Sequence, residues 1–146
     1  IQNGCDQVVF LDATERRWLE ELGGMNIFLV MDDGSLVTPE ISGTILEGVT
    51  RDSVITLAKE LGHTVEERKV DVDEWRKGAA DGTVVEAFAC GTAAVITPIG
   101  QLRWRGGEVR TGTGEPGPVS MKLRKALMDV QYGLVPDTHG WVRKVV

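Results

Sequence analysis

The chain has little cysteine and little histidine. Cys5 and Cys90 are its two cysteines and His63 and His139 its two histidines, in 146 residues. No C-x-x-C motif and no Cys/His cluster of metal-binding spacing occurs, so a structural zinc site and a disulfide framework are excluded. So few cysteines favour a reducing compartment, and we expect a cytoplasmic protein.

The chain also lacks a basic excess and any long apolar run. Sixteen Lys and Arg residues stand against 22 Asp and Glu, a net charge of −6, and the basic residues are scattered. This pattern argues against nucleic-acid binding and against docking to an acidic membrane surface. No segment approaches the roughly 20 apolar residues of a membrane-spanning helix. No initiator Met or signal-peptide core is present, so we expect part of a longer chain or a trimmed one.

What remains is the composition of an ordinary globular domain, 42% hydrophobic and 26% charged. No repeat, low-complexity segment or linker divides the sequence. We therefore predict one domain over residues 1–146, of mixed α+β class, with several strands and two or three helices.

The clearest local signal is a hairpin, with apolar runs at 27–31 and 35–39 joined by Asp33-Gly34. A helix is predicted from Arg51 to Leu61, with Thr50 as N-cap and Gly62 as its stop. Further strands are predicted at 7–11, at 64–70 and in two runs within 83–100 that are broken at 90–93, and residues 14–20 are predicted as a helical turn or loop. A short helix capped by Asp71 or Asp73 is predicted to end at Ala80, and an amphipathic helix to begin at Val119. A second hairpin is predicted over 102–110, with Gly106-Gly107 at its tip.

Two places can bind an anion through backbone N–H groups. One is residues 48–50 at the start of the first predicted helix, where free N–H groups and the helix dipole suit a phosphate. The other is the small-residue turn 90–93. Taken singly, a helix start of this kind more often binds only water, and a small-residue turn of this kind is more often a plain β-turn. Glu20 and Glu21, which precede the Gly-Gly pair 23–24, add an acid that a phosphorylated cofactor with a protonated ring requires.

Three segments in this order and spacing resemble branched-chain amino acid aminotransferases. They are E-L-G-G-M-N-I-F at 21–28, I-L-E-G-V-T-R at 45–51 and G-T-A-A-V-I-T-P at 91–98. These enzymes use pyridoxal 5'-phosphate and have fold type IV, the D-amino-acid-aminotransferase-like fold. The resemblance covers the whole chain but only the C-terminal half of such an enzyme. It implies the cofactor-cradling second domain, with strands curled into a pseudo-barrel flanked by helices.

The resemblance also implies site residues. Glu21 falls where the family places a carboxylate against the pyridine nitrogen, although a one-residue shift would exchange it with Glu20, otherwise a surface charge. The remaining implied cofactor contacts are the ring-packing Leu46, the phosphate-binding N–H groups of Val49 and Thr50, and Thr92 at the phosphate. The implied substrate contacts are Gly24 and the N–H groups of Thr92 and Ala93. The alternatives are a solvated loop acid for Glu21 and a core leucine for Leu46, while Arg51 is expected to be a helix-terminal or salt-bridging residue rather than a ligand.

No catalytic residue is expected in this chain, because the family's Schiff-base lysine lies upstream of the matching segment. Five lysines stand in charged or polar company (Lys59, Lys69, Lys77, Lys122 and Lys125), and the sixth, Lys144, lies in the tail, so each is expected to be a solvated surface residue. The resemblance thus implies an inactive fragment that lacks its N-terminal domain and is homodimeric when full length. The full enzyme would transfer amino groups between Leu, Ile or Val and 2-oxoglutarate. The redox-sensitive C-x-x-C of some vertebrate members is replaced by residues 94–97, A-V-I-T.

Three other functions stay open. A D-amino acid aminotransferase or an aminodeoxychorismate lyase would keep the fold and the cofactor but change the reaction. A non-catalytic phosphate-binding module would explain the missing lysine.

Overall fold

The computed structural model describes residues 4–145, which form nine strands and three helices. The strands are β1 (Val9–Leu11), β2 (Leu19–Leu22), β3 (Asn26–Met31), β4 (Leu36–Pro39), β5 (Val65–Arg68), β6 (Val84–Gly91), β7 (Val95–Pro98), β8 (Gln101–Trp104) and β9 (Gly107–Arg110). The helices are α1 (Val49–Glu60), α2 (Val72–Asp81) and α3 (Pro118–Gln131).

A five-stranded sheet in the order β5-β4-β3-β6-β7 forms the centre of the fold. Its pairs are antiparallel except for β4 and β5, which are parallel and connected through α1. β3 reads NIFLVM, and its first five residues are buried. An uninterrupted apolar strand of this kind is expected where both faces of a sheet are covered.

Both faces are covered, because alternate residues of β3 enter two separate apolar clusters. Phe28 and Val30 pack with residues of α1 and α3. Ile27 and Leu29 pack on the other face, around the fully buried Trp75 of α2 and Leu102 of β8. The period of two along the strand therefore produces a three-layer arrangement, with the sheet in the middle.

The α+β class is confirmed. The hydrogen-bonded strands of residues 4–145 form three open sheets, β1-β2, the five-stranded sheet and β8-β9, with no closed barrel among them. Within the same residues, no helix is both long enough and apolar enough to cross a bilayer.

The predicted β3–β4 hairpin is confirmed, with Gly34 at φ 82° in its turn. Of the two predicted caps, Asp71 is the one that caps α2, since its carboxylate accepts a hydrogen bond from the N–H of Asp73 at 2.9 Å. The helix from Val119 is also confirmed, beginning one residue earlier at Pro118.

Four local predictions need correction. Residues 19 and 20 were expected in a helical turn or loop but lie in β2, which pairs with β1. α1 begins at Val49, not Arg51, and its N-cap is Gly48 rather than Thr50. The break within 83–100 is the turn 92–94, since residues 90 and 91 complete β6. The tip of the β8–β9 hairpin is 105–106, because Gly107 pairs with Trp104.

Candidate functional site

The three segments singled out in the sequence meet at one end of the five-stranded sheet. β3 begins there at Asn26, which pairs with Cys90 near the end of β6. β4 ends there, and the Thr38 hydroxyl donates a 2.7 Å hydrogen bond to the carbonyl of Ile27. The loop 40–48, which leads from β4 into α1, therefore lies beside the start of β3 and the turn 92–94.

Two side chains from the first segment hold the backbone of Leu46 in this loop. The Glu21 carboxylate accepts a hydrogen bond from the Leu46 N–H at 2.7 Å. The Asn26 side-chain amide donates to the Leu46 carbonyl at 3.0 Å. Glu20 is also engaged and is not a free surface charge, because it accepts from the Thr44 hydroxyl at 2.6 Å. Glu21 thus joins the first segment to the second, and Glu20, just before the first segment, holds the loop at Thr44.

The start of α1 differs from that of the other two helices. Asp71 caps α2, and the Glu86 carboxylate accepts from the N–H groups of Val119 and Ser120 in α3. Among residues 4–145, no side chain caps α1, and its first internal hydrogen bond at this end runs from the Asp52 N–H to the Gly48 carbonyl. The backbone donors ahead of residue 52, at 49–51, are the groups that a helix start offers to an anion.

The third segment is the three-residue turn 92–94 between β6 and β7. Thr92 and Ala93 are exposed, while Cys90 before them is fully buried. Val95 closes the turn with φ 59°, a left-handed conformation rare for a β-branched residue. Val95 packs against the core cluster under α1 and α3, which holds the turn in this shape.

Leu46 and Val49 expose most of their side chains at this end of the sheet, 67% and 82% respectively. The core-leucine alternative for Leu46 is therefore wrong, because a core residue would be buried. Gly24 is also open, since a Cβ placed on it would meet no atom of the described residues within 4 Å. The end of the sheet thus combines backbone donors, a carboxylate and uncovered apolar groups.

Arg51 and Cys90 lie beneath this surface. The Arg51 guanidinium is buried and donates to the Pro39 carbonyl and to Glu67, both at 2.9 Å. The salt-bridging role expected of Arg51 is thereby confirmed. Burial raises the pKa of the Cys90 thiol to about 12, so at neutral pH it is a small apolar residue.

Sequence reasoning missed the roles of Asn26 and Gly48. A Cβ on Gly48 would lie 2.2 Å from the Asn26 side-chain oxygen, so the two residues touch. Both lie within segments that the sequence reading singled out, but nothing in a local pattern joins them. The lysines agree with expectation, because all six are exposed.

Comparison with known proteins decides the family. The sequence profile of Amino-transferase class IV matches residues 1–102, which is more than half of the chain. The chain belongs to the class IV aminotransferases. That assignment accounts for the convergence of the three segments, all of which lie within the matched residues.

Curated relatives agree with this membership. A branched-chain-amino-acid aminotransferase of Mycobacterium tuberculosis is 55% identical over 147 aligned positions, covering 99% of this chain and 40% of the relative. A probable branched-chain-amino-acid aminotransferase of Streptomyces coelicolor is 53% identical, covering 95% and 38%. This class IV chain therefore spans about 40% of the length of the curated relatives it matches, in their C-terminal part.

Solved structures show the same fold. The branched-chain amino acid aminotransferase of Escherichia coli superposes with a TM-score of 0.81 at 33% identity, covering 98% of this chain and 43% of that one. The branched-chain amino acid aminotransferase of T.th., solved with pyridoxamine 5'-phosphate, gives a TM-score of 0.81 at 36% identity, covering 96% and 42%.

Proposed function

We propose that this chain is the C-terminal, cofactor-cradling domain of a pyridoxal-phosphate-dependent branched-chain amino acid aminotransferase. The observation that carries the proposal is the meeting of Glu21, the uncapped start of α1 and the turn 92–94 at one end of the sheet. The relatives matched at 53–55% identity are named for this activity.

The donors at this end of the sheet fit the phosphate of the cofactor. The N–H groups of Val49 and Thr50 lie in the first turn of a 12-residue helix without a side-chain cap. The helix dipole adds partial positive charge at the same place. The exposed Thr92 supplies a hydroxyl donor from the neighbouring turn. We assign these three residues to the phosphate.

Glu21 fits the pyridine nitrogen. One oxygen, Oε1, is fixed by the Leu46 N–H, and within residues 4–145 the other oxygen, Oε2, accepts no hydrogen bond. A fixed carboxylate favours the protonated form of a nitrogen placed against it. Pyridoxal phosphate supplies the electron sink for amino-group chemistry, and the protein supplies binding, orientation and electrostatics. Leu46, largely exposed beside Glu21, provides an apolar surface for the ring.

Substrate contacts are assigned to the same turn. We assign the N–H groups of Thr92 and Ala93, in an exposed turn, to the substrate carboxylate, and Gly24, which has open space beside it, to the substrate. The proposed substrates are Leu, Ile and Val with 2-oxoglutarate.

The upstream region supplies what this chain lacks. None of the six lysines is withdrawn from water, whereas a nucleophilic lysine is activated by desolvation or by a neighbouring cation. The lysine that holds the cofactor therefore belongs to the missing N-terminal domain, and the full enzyme is proposed to be a homodimer. The exposed Leu46 and Val49 are the apolar groups that cofactor and upstream domain would cover.

The first test asks whether this chain carries its own nucleophile. The chain is mixed with pyridoxal phosphate, reduced with borohydride and digested, and any modified lysine is mapped. We expect no stoichiometric label and no amino transfer by the chain alone. A single lysine labelled stoichiometrically would contradict the domain assignment.

The second test uses the full-length enzyme and compares amino donors. We expect amino transfer from Leu, Ile and Val to 2-oxoglutarate and none from D-alanine. Preference for D-alanine would favour a D-amino acid aminotransferase, and formation of aminobenzoate from aminodeoxychorismate would favour the lyase. Phosphate binding without any turnover would favour a non-catalytic module.

A further inference from the structure

We propose that Asn26 is a positioning residue for the cofactor phosphate, acting through the loop that leads into α1. The inference rests on the proposed function, since it concerns the phosphate donors assigned above. Asn26 itself is only 5% exposed and does not belong to the phosphate-binding set.

Asn26 occupies the junction between the two halves of the phosphate site. Its backbone pairs with Cys90, two residues before Thr92. Its side chain reaches the other way and donates a 3.0 Å hydrogen bond to the carbonyl of Leu46. One buried residue therefore ties the loop before α1 to the strand that ends at the turn 92–94.

The contact with Gly48 shows that this junction is tight. Gly48 has φ −70° and ψ 127°, a conformation open to any residue, so backbone freedom does not explain its glycine. A Cβ on Gly48 would instead lie 2.2 Å from Asn26 Oδ1, far inside van der Waals contact. The missing side chain at position 48 is explained by the presence of Asn26.

The position of Gly48 decides the position of the amides that follow. Gly48 is the N-cap of α1, and its own N–H donates to the Leu46 carbonyl that Asn26 also holds. Val49 and Thr50 continue directly from it. Displacing this turn moves both amides away from the phosphate, and small misplacements of binding groups are costly. The Asn26 amide therefore controls phosphate affinity without touching the phosphate.

The test is a double-mutant cycle in the full-length enzyme, with two probes. Asn26→Ala, Gly48→Ala and the double variant are titrated with pyridoxal phosphate and with pyridoxal, which lacks the phosphate. Thermal unfolding of each apoenzyme is recorded in parallel. We expect each single variant to lose about tenfold in pyridoxal phosphate affinity, the effect of about one buried hydrogen bond. Pyridoxal affinity is expected to change less than about twofold, because Glu21 still holds the N–H of the ring-packing Leu46 when the Asn26 amide is removed.

The double variant is the decisive member of the cycle. Without Asn26, a methyl group on Gly48 has no oxygen to displace, so the double variant is expected to bind no worse than Asn26→Ala. Additive losses, or equal losses for both probes, would overturn the positioning role. If Asn26→Ala fails to fold, Gly48→Ala alone tests the positioning role, through its loss of affinity for pyridoxal phosphate relative to its loss of affinity for pyridoxal. A wild-type enzyme that binds no pyridoxal phosphate would instead refute the proposed function itself.

Discussion

The Glu21 carboxylate accepts a 2.7 Å hydrogen bond from the backbone N–H of Leu46. Glu21 lies in β2 and Leu46 in the loop before α1, so the bond joins the first and second segments of the site. One carboxylate thus has two tasks under the proposed function. Oε1 holds the loop, and Oε2 is left for the pyridine nitrogen.

Glu21→Gln should separate these two tasks. The glutamine carbonyl still accepts the Leu46 N–H, so the loop and the apoenzyme melting temperature should be unchanged. The other position becomes an NH₂ donor, which cannot stabilise a protonated ring nitrogen. Removing a carboxylate partner shifts such a pKa by about 1–3 units, so we expect kcat/KM to fall roughly 10- to 1,000-fold.

Glu21→Ala is the matched comparison, because it removes both tasks at once. It should lower the melting temperature of the apoenzyme as well as the rate. Equal melting losses in the Gln and Ala variants would show that the carboxylate charge, and not its geometry, holds the loop. An unchanged rate in Glu21→Gln would show that another acid faces the ring.

The second prediction concerns Glu86, a buried residue of β6. Its carboxylate accepts from the N–H groups of Val119 and Ser120 at 2.8 and 2.9 Å, capping α3 from a distant strand. Glu86→Gln replaces one acceptor by a donor facing an N–H group. We expect a loss of about 2 kcal/mol in the free energy of unfolding, typical of a broken hydrogen bond to a charged group.

Chemical denaturation measures this loss, and Glu108→Gln is the control. Glu108 forms an exposed ion pair with Arg103, so its neutralisation should cost less than about 1 kcal/mol. If the two variants lose the same stability, then the cap contributes no more than a surface ion pair.

The sequence predicted those parts of the fold that local chemistry determines. The β3–β4 hairpin follows from Asp33-Gly34, and the start of α2 from Asp71, because in both cases the signal and the structure are adjacent. β2 was missed because LEEL is short and half polar. Its strand conformation depends on pairing with β1 across a loop, which no local pattern reveals.

The site likewise has features that the sequence indicates and features that depend on contacts between distant residues. The resemblance placed Glu21, the start of α1 and the turn 92–94, and the fold brings all three to one end of the sheet. The N-cap was misplaced because Thr50 has the better capping side chain, whereas the actual N-cap is Gly48, where a side chain would collide with Asn26. That contact joins residues from different elements and is visible only in three dimensions.

The third prediction contrasts the two adjacent glycines. Gly23 has φ 65°, and a Cβ on it would lie 2.3 Å from the Gln7 side chain, so Gly23→Ala should cost roughly 1–2 kcal/mol of stability. Gly24 has neither constraint, so Gly24→Val should change stability by less than about 0.5 kcal/mol.

Gly24→Val should nevertheless raise the KM for the amino acid in the full-length enzyme, because the added side chain fills space assigned to the substrate. Steady-state kinetics and denaturation of both variants check this contrast. An unchanged KM in Gly24→Val would remove Gly24 from the substrate site, whereas lost stability would show that the residue packs within the protein.

The last prediction follows from the burial of Cys90, which raises the pKa of its thiol from 9.0 to about 12. Because the thiolate is the reactive form, Cys90 should resist a disulfide reagent at pH 8 in the folded protein and react once guanidinium unfolds it. Above pH 9 the unfolded chain loses this proton while the folded one keeps it, so the thiol's contribution to stability should decline towards pH 12. Cys90→Ala should show a shallower decline over that range. Rapid labelling of Cys90 in the folded protein would mean that the end of β6 opens to solvent, which the two buried faces of the sheet argue against.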